Sequence, residues 1–286
     1  MTKEEFVNKY VSEHYPNLHA DLQNIMGGGD VKSLYDTLHA KLISLAGSNV
    51  SVDYPLLHQY LIDLIYGFKP LDANGHDYVD MGEAGKWATC NVGANYPPQP
   101  GLYFAWGETQ GYTAEQVGFF KNFTYNDYKY CNGSSDKLTK YCSVSTYGND
   151  GFTDNLTTLE LADDAAHVHM GGDWRMPTKD EFAKLCDLCN ISMVNDYEGT
   201  GIEGILFTLN TDSTKQLFFP SAGYCVNGGG QNFGSTNVWT SSLETNYPIM
   251  GLGFRSDVYM DDQSYPYFGI GREEGISVRG ILGVGE

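Results

Sequence analysis

The residues best suited to bind a ligand alternate along one segment near the C-terminus, residues 251–262. Because successive side chains of a β-strand point to opposite faces, even positions would form one face and odd positions the other. The odd positions mix Gly, Arg, Asp and Tyr, a composition typical of binding surfaces rather than of an ordinary solvated face. An ordinary edge hairpin is the alternative. The even positions are typical of a core-facing surface: Leu252, Phe254, Ser256, Val258 and Met260.

Aromatic residues also concentrate on both flanks of this segment. Residues 246–250 read Asn-Tyr-Pro-Ile-Met, and residues 263–267 read Gln-Ser-Tyr-Pro-Tyr. Exposed rings and an exposed methionine would be a liability on an inert surface. Their concentration here favours a surface that a partner covers.

Cysteine pairs offer a second kind of chemistry. Cys186 and Cys189 have the spacing of a redox or metal-binding pair. However, they lie on a predicted helix without a second Cys or His pair at zinc spacing, which favours buried structural thiols. Cys131 and Cys142 could form a disulfide bond if the protein is exported, and reduced side chains are the alternative.

Histidine and aspartate side chains offer a third kind of chemistry, metal binding. His167 and His169 alternate along one segment and could bind a metal ion, with a structural histidine as the alternative. Asp257, Asp261 and Asp262 could gather Ca²⁺, because carboxylate oxygens suit that ion. Phosphate-binding loops and a Ser-His-Asp arrangement with supporting context are absent from the sequence. The sequence therefore predicts no catalytic residues and no required cofactor.

The charge of the chain restricts its partners. Its 286 residues include 17 Lys and Arg but 36 Asp and Glu, so the formal net charge is −19. Nucleic acids and anionic membranes attract clustered positive charge, and both are therefore disfavoured as partners. The sequence begins with a polar segment, and its most apolar stretch, residues 56–68, is too short to cross a membrane. We expect no membrane insertion and no signal peptide, and synthesis in a cytoplasm with reduced thiols.

Two regions of different composition meet near Lys69-Pro70. Residues 1–70 carry three amphipathic patterns at helical spacing, which predict a small helical domain for attachment or homo-oligomerisation. A packing appendage of the second region is the alternative. Residues 71–286 have short apolar runs separated by Gly- and Asn-containing turns, which predict mostly strands and long loops. Thr178 and Glu181 form a capping box that predicts one helix in this part.

Six motifs occur in order along the second region. They are the segment at 78–92, Gly-Leu-Tyr-Phe-Ala-Trp-Gly-Glu at 101–108, Asp-Asp-Ala-Ala-His at 163–167, Gly-Gly-Asp-Trp-Arg-Met-Pro-Thr at 171–178, Trp-Thr-Ser-Ser at 239–242 and Gly-Ile-Ser-Val-Arg at 275–279. This set resembles the C-type-lectin-fold domains of gut Bacteroidetes and their phages, often called the Fibrobacter succinogenes major paralogous domain. The fourth motif is also similar to the helix start of formylglycine-generating-enzyme-like domains. The resemblance covers roughly residues 72–282. It implies an α+β, C-type lectin fold after the helical N-terminal domain.

Members with this C-terminal layout include the variable proteins of diversity-generating retroelements, in which adenine-directed mutagenesis rewrites selected codons. The resemblance implies a variable region at about residues 230–272. It implies a fixed framework at Trp239, Ser241, Ser242, Leu252, Phe254, Ser256, Val258, Met260, Ser277, Val278 and Arg279. It implies diversified, ligand-binding positions at Tyr247, Met250, Gly253, Arg255, Asp257, Tyr259, Asp261, Asp262, Tyr265 and Tyr267.

The resemblance therefore predicts a non-catalytic protein that binds a protein or glycan on a cell surface. Without a signal peptide, it would suit a phage particle assembled in the bacterial cytoplasm. One alternative is a structural or scaffold protein of the same fold without diversification. Another is a formylglycine-generating-enzyme-like oxidase, which needs a redox-competent cysteine pair late in the fold, whereas the last cysteine here, Cys225, is unpaired in sequence.

Overall fold

A computed structural model of the protein divides the chain into two units, Met1–Pro70 and Leu71–Glu286. The structure describes residues 74–231, 234–256 and 267–282. The predicted helical domain of residues 1–70 lies outside these ranges. All described residues belong to the second unit.

Strands predominate in the described residues, and two α-helices accompany them. The helices are α1 (Ala165–Met170) and α2 (Lys179–Leu188). The strands are β1 (Tyr78–Asp80), β2 (Lys86–Asn91), β3 (Tyr103–Phe104), β4 (Trp174–Arg175), β5 (Cys189–Val194), β6 (Gly204–Leu209), β7 (Gln216–Pro220), β8 (Tyr224–Val226), β9 (Gly229–Gln231), β10 (Asn237–Leu243), β11 (Met250–Arg255), β12 (Phe268–Gly271), β13 (Ile276–Ser277) and β14 (Arg279–Leu282). The second unit thus has the sheet-rich α+β architecture that its sequence predicts.

Helix α2 begins at the capping box that the sequence predicts. The Thr178 hydroxyl accepts a hydrogen bond from the Glu181 backbone N–H, and the Glu181 carboxylate accepts one from the Thr178 backbone N–H. These bonds satisfy N–H groups that a helix start otherwise leaves without partners. The same helix buries Phe182 and Leu185 against the sheets.

The strands form four sheets. A four-stranded sheet has the order β1-β2-β14-β4, a three-stranded sheet the order β5-β6-β7, and β8 and β9 form a hairpin. The sheet that carries the predicted binding segment has the order β12-β11-β10-β13-β3. In it β10 runs antiparallel to β11 and parallel to β13.

Two hydrophobic clusters lie on opposite faces of this five-stranded sheet. Trp239 and its neighbours Trp106 and Ile270 belong to one cluster. Val238, next to Trp239 on β10, belongs to the other with Phe254 and several aromatic residues. Because adjacent strand residues point to opposite faces, β10 and β11 are covered on both sides.

Within the described residues, no helix combines the length and the apolar composition that a membrane span requires.

Candidate functional site

One face of β11 is anchored in the core, as the alternation predicts. Leu252 and Phe254 are buried, and the Phe254 ring stacks on Phe182 of α2 with ring centroids 5.1 Å apart. Ser256 is buried at the strand end, where its hydroxyl accepts a hydrogen bond from the Thr236 backbone N–H. The even positions up to 256 therefore hold the strand in place.

The opposite face of β11 is not a continuous solvent-exposed surface, because it is closely packed at Gly251 and Gly253. A methyl group at Gly253 would lie 2.8 Å from both the Ile270 Cδ1 and the Val238 carbonyl oxygen. At Gly251 it would lie 2.6 Å from the Trp106 ring. Both glycines are buried because the hydrophobic cluster of Trp106, Trp239 and Ile270 covers this face. Gly253 therefore has no exposed surface in this structure, and its assignment as a ligand-binding position stays a prediction.

The side chain of Arg255 reaches the surface at the end of this face. Arg255 is half-buried, and its guanidinium carbon lies 5.7 Å from the ring centroid of Tyr224. A guanidinium over an aromatic ring is held by attraction to the ring's electron-rich face. Tyr224 begins β8 and is itself half-buried. Sequence reasoning missed Tyr224, because its neighbour Arg255 lies 31 residues further along the chain.

Two carboxylates lie together in the turn between β12 and β13. Oxygens of Glu273 and Glu274 come within 2.8 Å and 3.0 Å of the position that a Gly271 Cβ would occupy. Burial and the neighbouring Glu273 carboxylate raise the pKa of Glu274 to about 6, although the positive charge of Arg255 opposes the shift. Burial also raises the pKa of Glu273. The turn thus places two carboxyl groups with raised pKa values side by side, and the charge of Arg255 acts on Glu274.

Replacing Glu274 by Gln is expected to stabilise the protein by about 1–2 kcal/mol at pH 7.5. The pKa of the Glu274 carboxyl is higher in the folded protein than in the unfolded chain. As the pH rises from about 4.5 to about 6, the unfolded chain therefore loses the Glu274 proton before the folded protein does. The free energy of unfolding therefore falls across this pH range, and above it the full energetic cost of burying the Glu274 charge remains. Urea denaturation at pH 7.5 and 4.5 measures the effect, which should vanish at the lower pH. Glu203→Gln, at an exposed position, is the control; an equal gain at both pH values would contradict a charge effect.

The other predicted positions are not gathered around Arg255. Tyr247 is 56% exposed in the β10–β11 loop, and half-buried Met250 begins β11, roughly 17 Å from Arg255 at the other end of the strand. The ring of Tyr267 contacts the Lys179 amine at the start of α2, 5.3 Å from the ring centroid. The remaining predicted positions lie outside the described residues: Asp257, Tyr259, Asp261, Asp262 and Tyr265.

A buried arginine positions the loop that carries Tyr247. Arg272 is fully buried and donates hydrogen bonds to the carbonyl oxygens of Pro248 and Tyr141, at 2.9 Å and 3.0 Å. Its guanidinium also lies over the Trp106 ring. Sequence reasoning missed Arg272, since nothing in its local sequence indicates burial.

The histidines engage the backbone of the fold. A ring nitrogen of His167 donates to the Trp174 carbonyl oxygen at 3.0 Å, and one of His169 donates to the Thr109 carbonyl oxygen at 2.8 Å. The neighbouring Asp164 carboxylate accepts backbone N–H bonds from His167 and Met176. This is the structural alternative to metal binding. The described ranges contain no cluster of three or more His, Cys, Asp or Glu arranged to hold a metal ion.

The cysteines are free thiols. Cys186 lies on α2, whereas Cys189 begins β5, so the prediction that both lie on one helix is wrong for Cys189. Both are buried, and burial raises the pKa of both, that of Cys189 to about 11. Cys131 and Cys142 are likewise unbridged, with pKa values raised by burial. Because the thiolate is the reactive form, these environments favour structural thiols.

The surface at the end of β11 combines an aromatic ring, a guanidinium and an acidic pair. Such a surface can contact apolar groups and select among charged ones. Its components come from three distant segments: β8, β11 and the β12–β13 turn. No family model, curated protein sequence or solved structure matches the chain.

Proposed function

We propose that this chain is a non-catalytic ligand-binding protein with a C-type lectin fold, of the kind diversified by a retroelement and carried on a phage particle. Its binding surface would begin at Arg255 and Tyr224 and continue through residues 257–267. The ligand would be a protein or glycan on a cell surface. Copies joined through residues 1–70 would bind together and gain avidity.

One observation supports this proposal: the positions predicted to form the framework are more deeply buried than most of those predicted to be diversified. Among the described diversified positions, Tyr247 is exposed and Met250, Arg255 and Tyr267 are half-buried, whereas Gly253 is the buried exception. A fold can accept frequent substitution at exposed positions because their effect on stability is small. The described framework positions are all at most 8% exposed: Trp239, Ser241, Ser242, Leu252, Phe254, Ser256, Ser277, Val278 and Arg279.

The chemistry at Arg255 supports binding. A guanidinium held over the Tyr224 ring loses little rotamer freedom when a ligand covers it, so less of the binding energy is spent on ordering. Arginine and tyrosine are also the residues that most often dominate binding energy at protein interfaces. The acidic pair at Glu273 and Glu274 would add selection for charge.

The cysteines give the oxidase alternative no support. Cys225 is the last cysteine in the chain and is 1% exposed, and burial raises its pKa to about 12. A thiol in this environment stays protonated near neutral pH and is a poor nucleophile. A scaffold protein of the same fold is the remaining alternative, and the experiments below separate it from a diversified binder.

Randomising the accessible positions is expected to leave the fold intact. In a library at Tyr247, Met250, Arg255 and Tyr267, most variants should lose less than about 1 kcal/mol, because these side chains contribute little to the core. The matched library varies Trp239, Leu252, Phe254 and Val278, where truncation costs about 2–5 kcal/mol per site. Protease resistance of displayed variants measures both. Equal losses in the two libraries would contradict the division between framework and display positions.

Diversification itself can be tested on DNA. The proposal expects a near-copy of the coding segment for residues about 230–280 downstream, differing at adenines, beside a reverse transcriptase gene. Sister genomes should differ at codons for the accessible positions. A scaffold protein would lack both features.

A further inference from the structure

Two phenylalanines project from a turn that the proposed binding surface does not include. Phe119 is 86% exposed and Phe120 is 74% exposed, the highest values among the large apolar side chains of the described residues. Contiguous exposed apolar area of this kind marks contact sites. We call these two residues the Phe tip.

The Phe tip is rigidly held. The backbone N–H groups of Phe119 and Phe120 both donate to the Gln116 carbonyl oxygen, at 3.2 Å and 3.0 Å. At the end of the turn, Lys121 is 5% exposed and its amine forms an ion pair with Glu108 at 2.8 Å. A rigid turn presents its rings without a further entropic cost of ordering the backbone, which favours use as a binding anchor.

The Phe tip adjoins the hairpin that carries Tyr224. The Gly228 backbone N–H, in the β8–β9 turn, donates to the Asn122 carbonyl oxygen at 2.7 Å. Gly118 packs so closely on Gly228 that a methyl group there would lie 2.6 Å from the Gly228 carbonyl oxygen. Tyr224 lies four residues before Gly228, roughly 10–13 Å along the hairpin. The tip and the Arg255–Tyr224 surface are therefore close enough for one macromolecule to contact both.

The partner that fits this arrangement is a protein. A typical protein interface covers about 800 Å² on each partner, enough to span both features. A sugar would use only its C–H faces against these rings, because phenylalanine has no hydrogen-bonding group for the hydroxyls, whereas an apolar pocket on a protein can bury both rings. A membrane surface is disfavoured because the chain carries a net charge of −19. The same charge attracts a partner whose contact surface is basic.

We propose that the Phe tip inserts into an apolar pocket on a basic protein partner, while the Arg255–Tyr224 surface contacts the same partner. This inference rests on the proposed function and narrows its ligand from a protein or glycan to a protein. The tip supplies apolar area, and the arginine surface supplies orientation.

The test uses the full chain and a synthetic library of single-domain antibodies as the probe. Independent binders are selected against the wild type and then measured by interferometry on Phe119→Ser/Phe120→Ser. More than half should lose at least tenfold in affinity, because buried aromatic anchors dominate interfaces. The matched control is Leu161→Ser/Val168→Ser, which removes two apolar side chains that are 53% and 51% exposed. That control should change affinity less than twofold.

The outcomes separate this inference from the proposed function. Equal losses in the Phe and control variants overturn the anchor. If binders depend on Arg255 and Tyr224 but not on the Phe tip, the anchor fails and the proposed function stands. If they depend on neither, both fail. Sedimentation of the full chain with phosphatidylcholine vesicles that requires the Phe tip would assign it to a lipid surface and overturn the protein partner.

Discussion

Replacing Arg279 by Leu is expected to lower the free energy of unfolding by about 3–5 kcal/mol. Arg279 is fully buried, and the register of β14 against β2 shifts immediately after it. The guanidinium fills this irregularity and donates to uncharged oxygens at 2.8–3.1 Å: the Asn91 side-chain carbonyl and the backbone carbonyls of Ala88, Thr89 and Phe218.

Two effects oppose each other at this site. Burial of the charge is costly, and it lowers the pKa of Arg279 to about 10, so an apolar replacement recovers several kcal/mol. The same replacement leaves four acceptors without donors, at about 1–3 kcal/mol each. Leucine also gives up the contact of the guanidinium with the Phe219 ring. Loss of the four hydrogen bonds is the larger effect, so we expect net destabilisation.

Urea denaturation at pH 7.5 measures this difference. Arg255→Leu is the matched control, because it removes the same group from a half-buried position, where we expect less than about 1 kcal/mol. Equal free energies of unfolding for the two variants would contradict this prediction. They would mean that the energetic cost of burying the Arg279 charge equals the stabilisation from its hydrogen bonds.

The local features of the fold could be predicted from the sequence because they depend on neighbouring residues. The start of α2 follows from Thr178 and Glu181, which are three residues apart and bond each other directly. The core face of β11 follows from the alternation of Leu252 and Phe254. Neither prediction needs information about distant segments.

The second face of β11 could not be predicted in the same way. Alternation shows that two faces differ, but not that Trp106 and Ile270 cover the glycines of the second face. Glycine at 251 and 253 suits such a covered face, because Trp106 and Ile270 leave no room for a side chain. Glycines at alternate positions are typical of this packing, but their composition alone does not distinguish a covered face from a binding surface.

The components of the candidate site were missed for a related reason. Tyr224 and Glu274 lie in segments that are far apart in the sequence. A backbone β-bridge between the adjacent residues Cys225 and Gly275 brings these segments together. The spacing within residues 251–262 predicts Arg255 as a binding residue, but it does not predict the residues that lie near Arg255 in the fold. Pairing between distant segments therefore determines the site, and one sequence does not specify that pairing.

Replacing Arg272 by Lys is expected to lower the free energy of unfolding by about 3 kcal/mol and to loosen the Tyr247 loop. A lysine ammonium cannot reproduce the planar fork of five donors. Arg272 uses that fork to donate to the Tyr128 hydroxyl and to three backbone carbonyl oxygens, those of Lys140, Tyr141 and Pro248. The Pro248 bond is the one that reaches the loop.

Hydrogen exchange separates the local effect from the global one. The Met250 N–H donates to the Tyr247 carbonyl oxygen at 2.8 Å, and its protection reports opening of the loop. In Arg272→Lys the Met250 amide should exchange at least tenfold faster than expected from the loss of global stability alone. Arg279→Lys is the control, because Arg279 makes its hydrogen bonds to β2 and β7 and not to this loop. Equal loss of protection in both variants would mean that Arg272 stabilises the fold as a whole without positioning Tyr247.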